Sequence, residues 1–495
     1  MSTSVSSSPG PTPADSAPRG VEVNGVNVID ESERKGTPRQ LFWPWFASNV
    51  SIFAIPYGVY IFGFGVSFWQ AVILGVVGIA FSFLLCGFIS VAGKRGNAPT
   101  LTLSRAAFGV TGNRVPSILS WILTVGWETA LTSTAALAVA TVFEELGWNG
   151  GIVTKVVALI VVAGLVVLGG VLGFDFIIRL QKWITIITGV LTVVYIVLSA
   201  HQIDFSTVSA LPAGNAAAFI GALVLVMTGF GIGWVNAAAD YSRYLPRNSS
   251  SRSVVGWTTI GASAAPIVLV VFGLLLAGSS STLSDAVNND PIGALASILP
   301  IWFLIPFALV AVLGLVGGAV LDIYSSGLAL LNAGLKIPRY LAAGVDGVLM
   351  IAGSIYVVFF ATSFIVPFQG FLITLGVPIA AWAGIFLADV QLRRKDYAVA
   401  ELFSPKGRYG SVQWIPIGLL VLGTAVGWGL VVNTNATWLS WQGYLMGTGD
   451  FLKQWGYANL GVLAALLIGY LGTLLFMRPV VRQQEGILQL DRDIV

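Results

Sequence analysis

Two stretches stand out from the rest of this 495-residue chain: TGFGIGWVNAAADYSRYLP at residues 228–246 and NVSIFAIPYGVYIFGFG at residues 49–65. Each sits in an apolar run long enough to cross a bilayer, and each carries residues that weaken a helix. In the second, Pro56 removes a backbone donor and Gly58, Gly63 and Gly65 loosen the ladder; in the first, Gly229, Gly231 and Gly233 fall mid-run. Counted along the chain, these runs are the first and the sixth. Paired breaks at those positions mark membrane proteins built as two inverted five-helix repeats, in which interrupted helices offer free carbonyls and amide hydrogens at the midplane. Either stretch alone would equally suit glycines that let helices pack closely; the matched positions favour the first reading.

Working outward, the chain is 56% hydrophobic and only 9% charged, against about 25% charged residues in ordinary soluble domains. There is too little charge to cover a watery surface, so lipid is the solvent for most of the chain. Apolar runs predict helices over 42–65, 68–92, 116–141, 151–172, 176–200, 217–239, 254–278, 301–333, 340–360, 362–390, 411–431 and 458–477, each near or above the roughly 20 residues that span about 30 Å of hydrocarbon. The polar segment from Lys94 to Val115 reads as part loop and part short interfacial helix. Residues 1–40, rich in Ser, Pro and Gly and then in charge, contain no apolar signal region and read as a disordered tail. With the N-terminus placed in the cytoplasm, 23 of the 25 Lys and Arg residues fall on that side, leaving Lys155 and Lys453 opposite. That bias predicts an even number of spans with both termini cytoplasmic; the expected location is the plasma membrane.

Acids inside lipid are costly and default to functional candidates. Glu128 lies within the third predicted helix and Asp322 within the eighth. Either would suit proton exchange or hydrogen bonds from a ring nitrogen, and the plainer reading is a neutral acid bonded to a neighbouring helix. Asp175, Asp240 and Asp389 lie near helix ends beside Arg179, Arg243 and Arg393, as loop anchors or gate ion pairs. Trp127 and Phe230 sit at the depth of the breaks, where two flat faces would sandwich a planar ring. Asn49, Ser51, Asn236, Ser325, Ser326, Thr362, Ser363 and Gln369 are polar at similar depth, suited either to a donor–acceptor edge or to interhelical bonding. His201 falls in an outer loop. Cys86, the sole cysteine, forms neither an internal disulfide nor a cysteine metal site. No Walker sequence, zinc ligand set or protease triad occurs, and GFGIGW lacks the preceding strand of a dinucleotide fingerprint. Enzymatic and nucleic-acid-binding readings therefore lack their chemistry, and no cofactor or metal is expected.

Six separated motifs, in order, resemble the nucleobase:cation symporter-1 family in its purine-cytosine permease branch: ESERKGTPRQLFWPWFASN (31–49), GNAPTLTLSRAAFGVTGNRVPS (96–117), GWE (126–128), DYSRYLP (240–246), DIYSSGLALLNAG (322–334) and GIFLADVQLRRKDY (384–397). The resemblance covers about residues 30 to 480. It implies an all-α polytopic membrane fold of about 12 transmembrane helices, amino-acid-transporter-like, working by alternating access: a first five-helix repeat over 41–200, an inverted second over 217–390, two terminal helices over 411–477 and a tail over 478–495. It implies that Trp127 and Phe230 stack on the substrate. The polar residue that family members often carry four places after that tryptophan is Leu131 here, and Asp322 stands where an Asn is common. Sodium-driven relatives place two hydroxyls on the eighth helix where this chain has Val316, Gly317 and Gly318. Without those oxygens a sodium site is weakened, and a carboxylate at Asp322 or Glu128 offers a proton the alternative. The expected function is proton-coupled import of a purine or pyrimidine nucleobase such as cytosine, adenine, guanine or hypoxanthine. Ser51, Phe53 and Ala54 would line the unwound first helix beside Gly229, with Ser363 and Gln369 as pocket or gate residues. Sodium coupling, a related heterocycle such as uracil, allantoin, hydantoin or a vitamin, and a solute-sensing receptor or channel are the alternatives.

Overall fold

The computed structural model describes residue 22, residues 24–361 and residues 365–490. It is helical throughout that range. The first predicted span is two helices, α1 (Phe42–Asn49) and α2 (Tyr57–Phe62). The two halves of that span, Pro38–Asn49 and Ile52–Phe62, are bent by 68°. α3 (Phe68–Gly96), α4 (Arg114–Glu145), α5 (Ile152–Leu172) and α6 (Phe174–Ser199) follow. The sixth span is again broken: α7 (Ala216–Gly229) stops at Phe230, α8 (Gly231–Trp234) adds one turn, and the chain then tightens into a 3-10 turn over Val235–Ala237. α9 (Ser251–Ser279), α10 (Leu304–Asn332), α11 (Arg339–Phe359) and α12 (Ile365–Leu392) are long and regular. α13 (Trp414–Gly429), α14 (Leu460–Phe476) and α15 (Arg478–Leu490) complete the chain.

Among the described residues nine helices are long and apolar enough to cross a membrane, or up to eleven when each bent pair counts as one span. The sequence predicts twelve. The shortfall has a local cause: α13 has 16 residues, about 24 Å of rise, and α14 reaches spanning length only together with α15, from which it is bent by 55°.

Helix contacts divide most of the molecule into two bodies. α4, α5, α10 and α11 pack on one another, with α4 against α10 the most extensive pair. α1, α2, α7 and α8 pack mainly on α3 and α9, and α1 also meets α6 and α10. Glycine makes the second body possible at one point: a Cβ on Gly58 would run into the backbone of Gly273, so α2 and α9 meet backbone to backbone. Cys86 ties the same body together at the other break, donating its thiol to the Gly231 carbonyl at 3.2 Å. Ile73, Val77 and Phe81 of α3 and Val190, Val193 and Val197 of α6 are exposed, apolar stripes that fit a lipid solvent.

The tails correct the sequence reading in part. Residues 1–21 lie outside the described residues, but Glu22 and residues 24–40 pack onto the face that carries the Arg- and Lys-rich loops, with Ile29 and Arg34 buried. The expected disorder gives way there because Glu22 finds buried guanidinium groups far away in sequence. At the other end α15 replaces a tail, and its Gln484 is buried against Arg393 at 2.7 Å.

Candidate functional site

Between α1 and α2 the backbone leaves the helix. Ser51 is extended (φ −123°, ψ 132°) and its Oγ accepts from Phe53 N at 3.3 Å, the only local support for that turn's amide. Opposite it Phe230 adopts φ −114°, ψ −104°, off any regular helix, which swings its ring to 4.7 Å from Tyr57. A small cavity of about 60 Å³ lies at these two breaks. That is room for on the order of four to six water positions at about 10–15 Å³ each, so a planar ring enters only if the walls separate. Ser51, Phe53 and Ala54 line it from the first span, Gly229 and Phe230 from the sixth, and Trp127 and Asp322 from α4 and α10. Trp127 is held edge-on by Phe368, with ring centroids 5.1 Å apart and planes at 85°. Leu131 also lines the cavity, and its side chain packs over Gly318, where a Cβ would come within 2.9 Å of it. The apolar residue and the small one opposite it are a matched pair.

Other candidates fall elsewhere. Glu128, one residue from Trp127, turns away from the cavity into the four-helix body, fully buried, and neither carboxyl oxygen has a hydrogen-bond partner among the described residues. Gln369 lines a separate cavity of about 280 Å³ toward the face opposite the basic one, with Tyr60, Phe64 and Asn288. Thr362 and Ser363 lie outside the described residues. Asn236 donates to Ser120 Oγ at 2.5 Å, and Ser325 pairs with the Tyr241 hydroxyl at 3.4 Å. Of the three expected acid–arginine pairs, one forms as an ion pair: Arg393 on Asp389 at 2.7 Å. Asp240 instead accepts from Thr100 N at 2.8 Å and Thr100 Oγ1 at 2.7 Å, and Arg179 reaches the Asp175 carbonyl rather than its carboxylate.

Two residues escaped the sequence reading. Asp346 of α11 is buried and accepts from Trp121 Nε1 at 2.7 Å and Ser326 Oγ at 2.9 Å. Gln181 of α6 donates to the Gly317 carbonyl at 2.7 Å, next to the point where Gly317 faces the Ala47 carbonyl of α1. An intramembrane Gln beside a run of glycines was a signal available in sequence.

The basic face is closed by Glu22. Its Oε1 accepts from Tyr244 at 2.7 Å, Tyr324 at 3.2 Å and Arg243 at 3.4 Å, its Oε2 from Phe174 N at 2.7 Å, and Arg339 lies 3.8 Å away. Tyr324 and Arg339 belong to the four-helix body, whereas Arg243 and Tyr244 follow the sixth span. One carboxylate thus joins both bodies.

A cavity at two helix breaks, flanked by rings from both bodies, fits the fold of membrane transporters of the inverted-repeat class. Residues 28–447 match the family described as permease for cytosine/purines, uracil, thiamine and allantoin. The chain belongs to that family, within the nucleobase:cation symporter-1 group, and is a multi-pass membrane transporter of small heterocyclic solutes rather than an enzyme. It is 22% identical to a putative purine-cytosine permease of Bacillus subtilis over 94% of this chain and 98% of that one. It is 27% identical to a cytosine permease of Escherichia coli O157:H7, over 74% and 80% respectively. In fold it is similar to Mhp1, a nucleobase-cation-symport-1 transporter, in a closed conformation with bromovinylhydantoin bound: TM-score 0.70 at 18% identity, covering 92% of this chain and 95% of that one. The inward-facing conformation of Mhp1 gives 0.66 at 17% identity, covering 93% and 95%.

Proposed function

We propose that this chain is a symporter that imports a purine or pyrimidine nucleobase (cytosine, adenine, guanine or hypoxanthine) with a proton by alternating access. The carrying observation is the cavity at the breaks, where Trp127 and Phe230 flank a slot and Asp322 presents a carboxyl to it. The rings gain apolar burial and stacking on a planar base, the free backbone around Ser51, Phe53, Ala54 and Gly229 supplies donors and acceptors, and Asp322 reads a ring nitrogen or carries the proton. Glu128 belongs to the proton pathway rather than the slot wall. Gln369 serves as a gate residue at the second cavity, and Ser363 keeps its expected role as a pocket or gate residue.

Proton coupling has two supports. Carboxyl groups stand in and beside the cavity. Where the first span meets α10, the Gln181 N–H donates to the Gly317 carbonyl, so that carbonyl is already engaged rather than free for a hard cation such as sodium, although the Gln181 Oε1 beside it has no partner among the described residues. In this reading the chain is organised as repeats over 41–200 and 217–390 followed by the segment 411–477. The basic face, with both termini, is cytoplasmic in the plasma membrane. The second reading is sodium- or proton-coupled uptake of a related heterocycle such as uracil, allantoin, hydantoin or a vitamin; the hydantoin-type ligand of the similar fold favours keeping it.

The test is accumulation of radiolabelled cytosine, adenine, hypoxanthine, uracil and allantoin in proteoliposomes, with a pH gradient set against a sodium gradient at matched voltage. Uptake of cytosine or a purine driven only by the inward proton gradient is the expected outcome. Sodium-driven uptake, or movement of uracil or allantoin alone, would replace it with the second reading.

A further inference from the structure

The four-helix body contains more acid chemistry than the cavity uses. Glu128 of α4 is 0% exposed, and both of its oxygens are unpartnered among the described residues. An ionised carboxylate there would be a buried charge with no compensation. A neutral acid needs only an acceptor for its O–H, and Ser326, on the α10 face that packs against α4, offers a hydroxyl oxygen that Glu128 would reach by a side-chain rotation. Ser326 Oγ has two acceptors in reach, Asp346 Oδ2 at 2.9 Å and the Ile323 carbonyl at 3.2 Å, of which the carboxylate is the nearer, while Trp121 Nε1 donates to Asp346 Oδ1 at 2.7 Å. Two donors aimed at one carboxyl suit its ionised form. The two acids therefore differ in surroundings in the way that assigns one proton to two carboxyl groups.

We propose that Glu128 and Asp346, bridged by the Ser326 hydroxyl, form a proton site inside the four-helix body, separate from the cavity and leading from it toward the basic face. The proposal rests on the proton-coupled reading above and adds the place where the proton waits. Asp322 lies one helical turn before Ser326 on α10 and within electrostatic reach of Glu128. Trp121 lies seven residues before Glu128 on α4, about 10 Å nearer the basic face. Transfer balances simply. Once the Glu128 carboxyl turns onto Ser326 Oγ, its O–H passes a proton to that oxygen as the Ser326 proton moves to Asp346 Oδ2, leaving Glu128 ionised, Asp346 neutral and the hydroxyl to rotate back.

The charged groups around the pair leave this exchange open. Among the described residues Asp346 is hydrogen-bonded by Trp121 and Ser326, Glu128 has no hydrogen-bond partner, and the other acid, on α10, is Asp322, one turn before Ser326. The basic residues on the packed helices are engaged or distant. Lys155 is at the far end of α5, Arg339 at the start of α11 holds the Gly170 and Val171 carbonyls, and Arg393, just beyond α12, is held by Asp389.

The full-length chain in liposomes provides the test, with the proton itself as first probe. Infrared difference spectra across pH should contain a protonated-carboxyl band that is lost in Glu128→Gln and kept in Asp322→Asn. In Asp346→Asn its titration midpoint should move by one pH unit or more. Uptake of the five radiolabelled bases named above then reads coupling. Asp346→Asn should lower pH-driven accumulation at least tenfold with counterflow exchange within twofold of the unmodified chain, Asp346→Glu should restore part of it, and Ser326→Ala should slow it several-fold. A packing role for Asp346 would instead reduce counterflow and accumulation together, and that result overturns the proposal. So does a carboxyl band untouched by Glu128→Gln, or normal pH-driven accumulation by Asp346→Asn while Asp322→Asn abolishes it; both leave proton coupling standing. Uptake by the unmodified chain that follows sodium alone overturns the proton reading and the role of this site with it.

Discussion

The two bodies meet at the same cavity but bring different materials to it. The body of α1, α2, α3, α7, α8 and α9 contributes irregular backbone, aromatic rings and hydroxyls: Ser51, Phe53, Tyr57 and Phe230. The body of α4, α5, α10 and α11 is unbroken, and among the described residues it holds the one carboxyl that lines the cavity, Asp322, and the buried Glu128 and Asp346 deeper in. A broken helix already has unsatisfied carbonyls and amides to settle, and a buried acid beside them would compound the problem. Continuous helices satisfy their own backbone and leave the surroundings to deal with the acid alone. The contrast teaches that the part with broken helices can bring backbone and rings to a cavity without bringing acids to it, while the part with continuous helices holds the carboxyl groups.

Substitutions at the boundary would break or sharpen that contrast. The largest effect is expected from Gly58→Val, which drives a side chain into the Gly273 backbone where no flexible neighbour can give way. Well-folded chain recovered from detergent should fall to near nothing, and a monodisperse peak equal to the unmodified protein's would refute the backbone contact. Next comes Glu22→Ala, which strips a partner from buried Arg243 and Arg339 and should cost the closed basic face about 3 kcal/mol. The readout is faster labelling of a cysteine introduced at Tyr244, and unchanged labelling would mean that the carboxylate does not hold the bodies together. Asp322→Asn should cut pH-driven accumulation at least tenfold; full accumulation by a normally inserted variant would remove Asp322 as the obligatory carrier. Trp127→Ala should weaken substrate binding by about 1.5 kcal/mol, roughly tenfold, and Trp127→Phe by less. Smallest is Leu131→Gln, which offers an amide to the slot opposite Gly318 and should change the ranking of bases by a few-fold without changing the driving ion.

How much of this was legible in the sequence depended on whether the cause was local. The breaks at residues 50–56 and 229–231 were readable because proline and glycine act on their own backbone. Trp127, Phe230 and Asp322 were readable through motif and depth, and the structure brings all three to one cavity. Glu128 was visible as an acid in an apolar run, but its direction was not, because neighbouring residues point about 100° apart around a helix. Asp346 lies inside the span predicted over 340–360 and went unremarked; what sets it apart, its burial against α4 and α10, is supplied by helices far away in sequence. Gln369 has the converse history. It lies in a long apolar run, yet α12 begins at Ile365, so it sits within about one turn of that helix's start and opens onto the other cavity. The ordered stretch around Glu22 was unreadable for the same reason as Asp346, since its partners are supplied by α10, α11 and the end of the sixth span.

Cys86 has a practical consequence. It is the chain's only cysteine, and its thiol is buried and committed to the Gly231 carbonyl. Serine carries the same kind of donor, so Cys86→Ser keeps that hydrogen bond and yields a background without reactive sulfur. Spin labels or fluorophores could then be attached in pairs, one at an exposed position such as Trp69 on α3 and the other at Leu349 on α11. The distance between the two bodies would become something to watch in real time, gradient by gradient.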